Sequence, residues 1–576
     1  MWPFGSLRPY RRAWIGGDLV AGLTVWAVLV PEALAYATIA GVSPVVGLYA
    51  APAALVFYAA LGSSRHLVVG PMSATAALSA ATVAQFVAPN AGAFTAMTAA
   101  LALATGAVAL AAGLARLGFL ANLISEPVMK GFIVGLALTI IIGQVPSLFG
   151  IEKGSGDFFA KTWDVITNLG ETNGPTLAVG VLSLVLVLGL KRVAPVVPAS
   201  LVAVILGVTA VKALSLDDHG VEIVGPIKSG LPSIGLPDIG TARFSDLIGP
   251  SLGVMLVGFA EGLGAAKTYA ARHHYEVDAN RELLGLGAAN VASGLAAGMV
   301  VNGSLSKTAV NGAAGAKSQL SGLFCAVLTV LTLLFLTSLF EELPEATLAA
   351  VVIAAVIELV DVAAIIALYR VYTRALGEAY GVAARPDFLA AVAAMLGVLI
   401  FDTLPGLFLG IAISLALLLY RVSRPRVAVL GRVPGGRGQY GDLERHPENT
   451  VPDGIVVLRP ESGMFFANAD HVRGAVRAHV ARDTDAVVID AETVPYIDVS
   501  AARMLGALAD DLGRDGVVLV IARDIGQVRD VLRLAEPGHT AIHAFPSVQE
   551  AVDAVTRGAA PLETAPARGP APHPSG

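Results

Sequence analysis

Apolar residues run in long blocks along the first three quarters of the chain. They fall near residues 18–40, 46–62, 72–88, 94–115, 127–149, 175–190 and 198–214. A second set follows near 248–269, 283–300, 304–316, 318–340, 346–369, 387–402 and 405–420. Blocks of about 18 or more apolar residues predict membrane-spanning helices, and the shorter ones predict helices that stop partway. Two sets of seven predict two membrane halves. In each half the third block opens on a short glycine-broken segment, Gly70-Pro71-Met72-Ser73-Ala74-Thr75 and Asn302-Gly303-Ser304-Leu305-Ser306-Lys307-Thr308. Met72 lies 54 residues after Asp18, where the first half opens, and Ser304 lies 56 after Ile248, where the second does. Interrupted helices at matching places in two halves point to a transporter's midplane binding site. Each start presents the positive end of a helix dipole and free backbone N–H groups, which suits an anion.

Charge sets the parity of the crossings. Arg65, Arg116, Lys191-Arg192, Arg272 and Arg370 follow even-numbered blocks. Connections after odd-numbered blocks are short and uncharged, or acidic as at Glu341-Glu342 and Glu345; the long connections 150–174 and 215–247 carry mixed charge and little weight. An even count with both termini cytoplasmic, in the inner (cell) membrane, is the expectation. The N-terminal charges Arg8, Arg11 and Arg12 precede a long span without a cleavage pattern.

After Tyr420 the pattern changes. Arg421, Arg424 and Arg426 mark the exit, and a Gly-rich stretch at 435–438 leads to a polar region. Ile455–Leu458, Ala486–Ile489 and Val517–Ile521 read as buried strands; Asp470–Ala481, Ala501–Leu512 and Ile525–Leu534 read as amphipathic helices. The expected organisation is an N-terminal cytoplasmic segment 1–17, a transmembrane domain 18–421, a linker 422–453, a small α/β domain 454–557, and an Ala- and Pro-rich disordered tail 558–576.

Composition agrees. The chain has 576 residues, 55% of them hydrophobic and 14% charged, with a mean hydropathy of +0.72. Its 62 glycines and many alanines suit closely packed membrane helices. A net charge of −6 gives no reason to expect a nucleic-acid partner. The single cysteine, Cys325, sits in an apolar run and reads as a packing residue. No spacing suggests a metal site or cofactor; His273-His274 adjoin Arg272 in a loop and read as solvated.

Several segments together resemble the SulP family of anion transporters. Asp18-Leu19-Val20-Ala21-Gly22-Leu23-Thr24 and Val30-Pro31-Glu32-Ala33-Leu34-Ala35-Tyr36-Ala37 resemble its first helix. Gly70–Thr75 resembles the start of its third, Glu276–Leu283 its "ANxEL" region, and Ser304–Asn311 its tenth-helix signature. Phe465-Phe466-Ala467-Asn468-Ala469 and Ile497-Asp498-Val499-Ser500-Ala501 resemble a STAS domain. The resemblance implies an α-helical polytopic protein of seven-plus-seven inverted repeats, divided into core and gate, with a cytoplasmic α/β STAS domain. It also implies an elevator-like movement and a homodimer.

By the same resemblance, Ser73, Ala74 and Thr75 from one half-helix, and Ser304, Leu305 and Ser306 from the other, offer N–H and hydroxyl donors to the anion. Read without it, the same Ser and Thr residues cap helices. Lys307 stands where many relatives have arginine; it serves the electrostatics of the site, pairs with a carboxylate or reaches water. Glu261, within an apolar run, is a functional residue by default. Burial favours the protonated form of a carboxyl, so Glu261 is the expected proton-coupling residue, with sodium as the alternative ion and a salt bridge to Lys307 as the structural alternative. Glu32 replaces the glutamine usual in the first helix, near the substrate; it either shares a proton with Glu261 or pairs with Lys307. Ser500 matches a position phosphorylated in soluble anti-sigma-factor antagonists, but its plain reading is an N-cap for a helix beginning at Ala501. The STAS-like domain is expected to aid assembly or take a regulatory partner.

The leading expectation is a secondary active transporter, a proton–anion symporter for sulfate, a dicarboxylate or bicarbonate. An uncoupled exchanger or channel is the second reading; the acid at Glu261 argues against it. A membrane-anchored signalling protein is the third, and lacks the Asp-x-Ser-Gly context it would need. No nucleophile–base arrangement suggests an enzyme.

Overall fold

A computed structural model describes residues 4–7, 10–88, 92–119, 125–154, 156–194, 197–227, 229–239, 241–370, 385–401, 403–535 and 542–558. The expected tail 558–576 lies outside these residues save for Gly558. The chain divides into a membrane unit up to about Ser414 and a C-terminal unit beyond it.

The first membrane half holds α1 (Ile15–Ile39), α2 (Pro44–Leu61), strand β1 (Val68–Gly70), α3 (Ser73–Ala84), α4 (Gly92–Leu114), α5 (Glu126–Phe149), α6 (Phe158–Asn168), α7 (Gly174–Val193) and α8 (Ala199–Leu214). The second holds α9 (Thr241–Asp246), α10 (Ile248–Arg272), α11 (Ala279–Leu295), strand β2 (Asn302–Ser304), α12 (Leu305–Ala313), α13 (Leu320–Phe335), α14 (Glu345–Val356), α15 (Val362–Arg370), α16 (Pro386–Phe401) and α17 (Thr403–Ser423). Among the described residues eight stretches are long and apolar enough to cross a membrane, while α3, α8, α13 and α16 are shorter apolar helices. The block read as 346–369 is broken by a 3-10 turn at Ile357–Leu359. α6, amphipathic and held at its start by Asp157 (Asp157 Oδ1 accepts from Ala160 N at 2.8 Å), lies in a connection read as loop.

The inverted repeat is visible in which helices touch. α4 packs on α11, and its counterpart α13 packs on α2; α1 packs on α13 as α10 packs on α4. Likewise α1 meets α12 as α10 meets α3, and α5 meets α16 as α14 meets α7. Each of these contacts has a partner with the halves exchanged. These contacts separate α1–α4 with α10–α13 from α5, α7, α14 and α16, the core and gate groups. Small residues allow the close approaches: an added Cβ on Gly106 of α4 would stand 2.5 Å from Val291 N of α11, and one on Gly131 of α5 would stand 1.9 Å from Ala391 O of α16.

The C-terminal unit is a six-stranded sheet. Its strands are β3 (Val427–Arg432), β4 (Tyr440–Asp442), β5 (Ile455–Pro460), β6 (Ala486–Asp490), β7 (Val518–Ala522) and β8 (His543–Phe545), in the order β4-β3-β5-β6-β7-β8. β5 to β8 run parallel, and β3 is antiparallel to both its neighbours. Two strands therefore come from the segment read as linker, 422–453. Strand alternation builds two cores. Val487, Ile489, Leu519 and Ile521 face α18 (Ala469–His479), α19 (Val499–Arg514) and α20 (Gly526–Ala535), while Val488 and Val520 face α21 (Val548–Thr556). The N-cap of α19 is Asp498, whose Oδ1 accepts from Ala501 N at 2.8 Å. Ser500 is an exposed second residue of that helix, not its cap, because the chain turns helical two residues earlier than expected.

Candidate functional site

The two glycine-broken segments meet. β1 and β2 pair antiparallel, Val68 opposite Ser304, Val69 opposite Gly303 and Gly70 opposite Asn302. Each strand ends where a half-helix begins, so the starts of α3 and α12 lie beside one small sheet buried in the membrane unit. Gly303 makes the crossing possible: a Cβ there would stand 2.8 Å from Leu67 Cδ2 and 3.0 Å from Gly262 Cα of α10. Three further bonds fix the ladder. Val68 N donates to Thr308 Oγ1 at 3.0 Å, Asn311 Nδ2 to His66 O at 2.9 Å, and Gln319 Nε2 to Leu67 O at 2.9 Å.

The start of α3 is unusual. Its N-cap is Met72, whose side chain makes no capping hydrogen bond. Among the described residues the backbone N–H groups of Ser73, Ala74 and Thr75 meet no acceptor. The Thr75 hydroxyl is not free: it donates to Met72 O at 3.3 Å. At α12, Ser304 is a true cap, accepting from Lys307 N at 3.2 Å, and its hydroxyl lies 3.1 Å from that of Ser306. Leu305 and Ser306 are exposed, and their N–H groups meet no acceptor among the described residues. Five backbone donors thus remain at two facing dipole ends, an arrangement able to hold an anion.

Lys307 is buried, with 1% of its side chain exposed. Its Nζ lies 2.7 Å from Glu32 Oε2, donates to Pro71 O at 3.2 Å, and stands 4.9 Å from the centre of the Tyr36 ring. The approach to Glu32 is a charge contact, since Oε2 accepts no aligned hydrogen bond. Of the alternatives for Glu32, the pairing with Lys307 is the one observed. The salt bridge between Glu261 and Lys307 is not: Lys307 lies with α1, and Glu261 of α10 instead accepts from Asn302 Nδ2 at a long 3.4 Å. Among the described residues Asn302 Oδ1 and, nearby, Thr105 Oγ1 are buried without partners; both residues line a small cavity with Thr75, Gly258 and Asn290.

Sequence reasoning missed two buried carboxylates that brace this crossing. Glu282, fully buried, accepts from Tyr58 Oη (2.7 Å), Ser63 N (2.8 Å), Ser63 Oγ (2.6 Å) and Ser64 N (3.1 Å). Asp18 accepts from Lys317 N (2.7 Å), Ser318 N (3.1 Å), Ser318 Oγ (2.7 Å) and Tyr10 Oη (3.1 Å). The first holds the connection into β1 and the second the connection out of α12. Glu282 sits in the "ANxEL" segment and Asp18 opens the segment that resembles the family's first helix, and these were the available signals. His273, read as solvated, is exposed but stacks on buried His66 with ring centres 4.2 Å apart. His66 Nε2 lies 3.1 Å from Ala316 O and Nδ1 3.1 Å from Tyr275 Oη, a neutral tautomer with both nitrogens satisfied. Its burial, and then the neighbouring His273, hold its pKa down at about 4.

Comparison with known proteins gives one answer over nearly the whole chain. The family model for the sulfate permease family matches residues 15–376, and that for the STAS domain matches 446–551. A probable sulfate transporter of Mycobacterium tuberculosis is 37% identical over 92% of this chain and 93% of its own length. Sulfate transporter 1.3 of Arabidopsis thaliana is 31% identical over 95% of this chain and 86% of its own. The murine Solute Carrier 26 family member A9 anion transporter, in an inward-facing state, superposes with a TM-score of 0.86 at 23% identity, covering 96% of this chain and 94% of that one. The transmembrane domain of a cyanobacterium bicarbonate transporter superposes at 0.58 with 23% identity, over 67% of this chain and 97% of its own.

Proposed function

This chain belongs to the sulfate permease family and is an anion transporter, and we propose that it carries sulfate together with protons as a secondary active symporter. The anion lies between the starts of α3 and α12, held by the N–H groups of Ser73, Ala74, Thr75, Leu305 and Ser306, with Ser304 shaping the cradle and Lys307 supplying positive potential. Relatives named as sulfate transporters over almost their whole length support sulfate ahead of a dicarboxylate or bicarbonate. Glu261 carries the coupling proton. The observation behind this assignment is that Lys307 is already taken by Glu32, which leaves Glu261 with one long bond from a neutral amide beside the open helix ends. A carboxyl so placed is cheapest to carry across when protonated. The core group shifts past the gate group in an elevator-like movement within a homodimer in the cell membrane, both termini cytoplasmic. The STAS domain aids assembly or receives a regulatory partner, and Ser500, exposed on α19, is its modifiable residue.

Uptake of radiolabelled sulfate into proteoliposomes tests the reading. Uptake should rise with an inward proton gradient, and Glu261→Gln should abolish that rise while leaving sulfate exchange. Uptake indifferent to both the gradient and Glu261 would favour an exchanger or channel; stimulation by inward sodium alone would move the coupling ion.

A further inference from the structure

The one buried cation of the site is neutralised from within. Glu32 occupies Lys307 at 2.7 Å, and Lys307 has no room to serve a second anion while that contact holds: Pro71 O and the Tyr36 ring take its remaining faces. A dianion entering beside an intact Glu32 carboxylate would bring the site to three negative charges against one ammonium at the midplane. Five N–H donors at two half-helix ends cannot offset that, since a helix-end dipole stabilises an anion far less than like charges in contact repel in a low-dielectric site. Removing Lys307 from Glu32 without a substitute partner leaves a buried unpaired carboxylate, which is also prohibitive. Protonating Glu32 resolves both costs in one step.

We infer that Glu32 is a tethered internal anion that yields Lys307 to the substrate by taking up a second proton, so that the carrier moves one divalent oxyanion with two protons, one on Glu261 and one on Glu32. This rests on the proton-coupled reading given above. The cycle balances. A proton from the outer water adds to Glu32 Oε2, the contact to Lys307 ends, and the ammonium, protonated throughout, faces the anion. After the anion leaves on the inner side, the proton leaves to water and the contact reforms. Two negative charges and two positive ones cross together, and the loaded core is no more charged than the empty one. The ionisable groups around Glu32 among the described residues are compatible with this exchange. Lys307 of α12 and Tyr36 of α1 touch the pair or its cation; Glu261 of α10 and Cys325 of α13 lie nearby. On the other helices packed against α1, Lys212 of α8 is engaged with Glu342 at 3.4 Å and Glu345 of α14 with Lys153 at 3.3 Å; α3 presents hydroxyls only.

The test is the static-head accumulation of sulfate in proteoliposomes, with the membrane potential clamped at zero and the outside one pH unit more acid. Each proton carried multiplies the final gradient by about ten, so the wild type should reach about 100-fold and Glu32→Gln about tenfold, with a lower KM for sulfate because the internal competitor is gone. A wild-type ratio that Glu32→Gln leaves unchanged overturns the role of Glu32. A wild type of about tenfold, lost in Glu261→Gln, leaves the symport reading intact and sinks only the second proton. No gradient-driven accumulation in the wild type sinks the symport reading itself. Should Glu32→Gln fail to fold, proton uptake by detergent-solubilised Glu261→Gln on adding sulfate, followed with a pH indicator in weak buffer, decides the matter. One proton taken up per sulfate supports Glu32 as acceptor, and none overturns it.

Discussion

Replacing Glu282 tests whether the anchor of the α2–β1 connection governs the site. Its four bonds join three elements: Oε2 receives Tyr58 of α2, and Oε1 receives both N–H groups and a hydroxyl of Ser63-Ser64. Hydrogen bonds to a charged acceptor are worth about 1.5–3 kcal/mol each, but bonds sharing one group are not additive. Glu282→Ala orphans the two amide donors, frees two hydroxyls and opens a cavity, so a loss of about 3–5 kcal/mol is expected, at the upper end for a single substitution. Glu282→Gln keeps the shape. Its oxygen can stay at the Oε1 place and its amide can turn to Tyr58, whose hydroxyl can accept, which limits the loss to roughly 1–2 kcal/mol. Tyr58→Phe removes only one bond and should fall near Gln. Apparent Tm in detergent micelles, read by tryptophan fluorescence, should therefore rank wild type above Gln and Phe, and those above Ala. Because Ser63-Ser64 lead directly into β1, the KM for sulfate should rise in the same order. An alanine variant that keeps both wild-type Tm and wild-type KM would refute the reasoning, and a fall in Tm with unchanged KM would limit Glu282 to stability alone.

Gly303→Ala should be disproportionately harmful for a single methyl. Its Cβ would press on Leu67 and on the backbone of Gly262, at 2.8 and 3.0 Å, and overpacking of this kind costs about 1–3 kcal/mol; sulfate uptake should drop steeply at normal expression, whereas Gly264→Ala, with open space around it, should transport as wild type. His66 gives a pH dependence. Its pKa lies at about 4 against 6.5 for the free side chain, so the unfolded chain binds more protons between those values and stability falls as pH drops through that window. The full effect is roughly 3–4 kcal/mol, and His66→Gln should flatten the fall of Tm between pH 6.5 and 4.

The membrane character, the two sets of seven apolar blocks and the matching glycine-broken segments are all present in the order of residues, because lipid requires long apolar runs and a helix can break only where Gly or Pro permits. The same local rules located three strands and three helices of the C-terminal unit. The family resemblance singled out Ser73–Thr75, Ser304–Lys307 and Glu32 as candidates, and Glu261 stands out as an acid within an apolar run. The partners of those residues are another matter. Glu32 and Lys307 are 275 residues apart, and nothing local distinguishes a pair with each other from a pair between Lys307 and Glu261; the β1–β2 crossing, which brings Lys307 toward α1, decides it. Strands of three residues carry no periodicity, so that crossing was invisible, as were β3 and β4, since β3 forms only on the open edge of β5 and β4 only on β3. Asp18 and Glu282 look like ordinary residues at helix starts, and only folding surrounds each with four donors, from Tyr10 and Lys317-Ser318 for Asp18 and from Tyr58 and Ser63-Ser64 for Glu282. Sequence determines which segments enter the membrane and where they break; the long-range contacts, each resting on a few ångströms of packing between the two halves, determine which charge answers which.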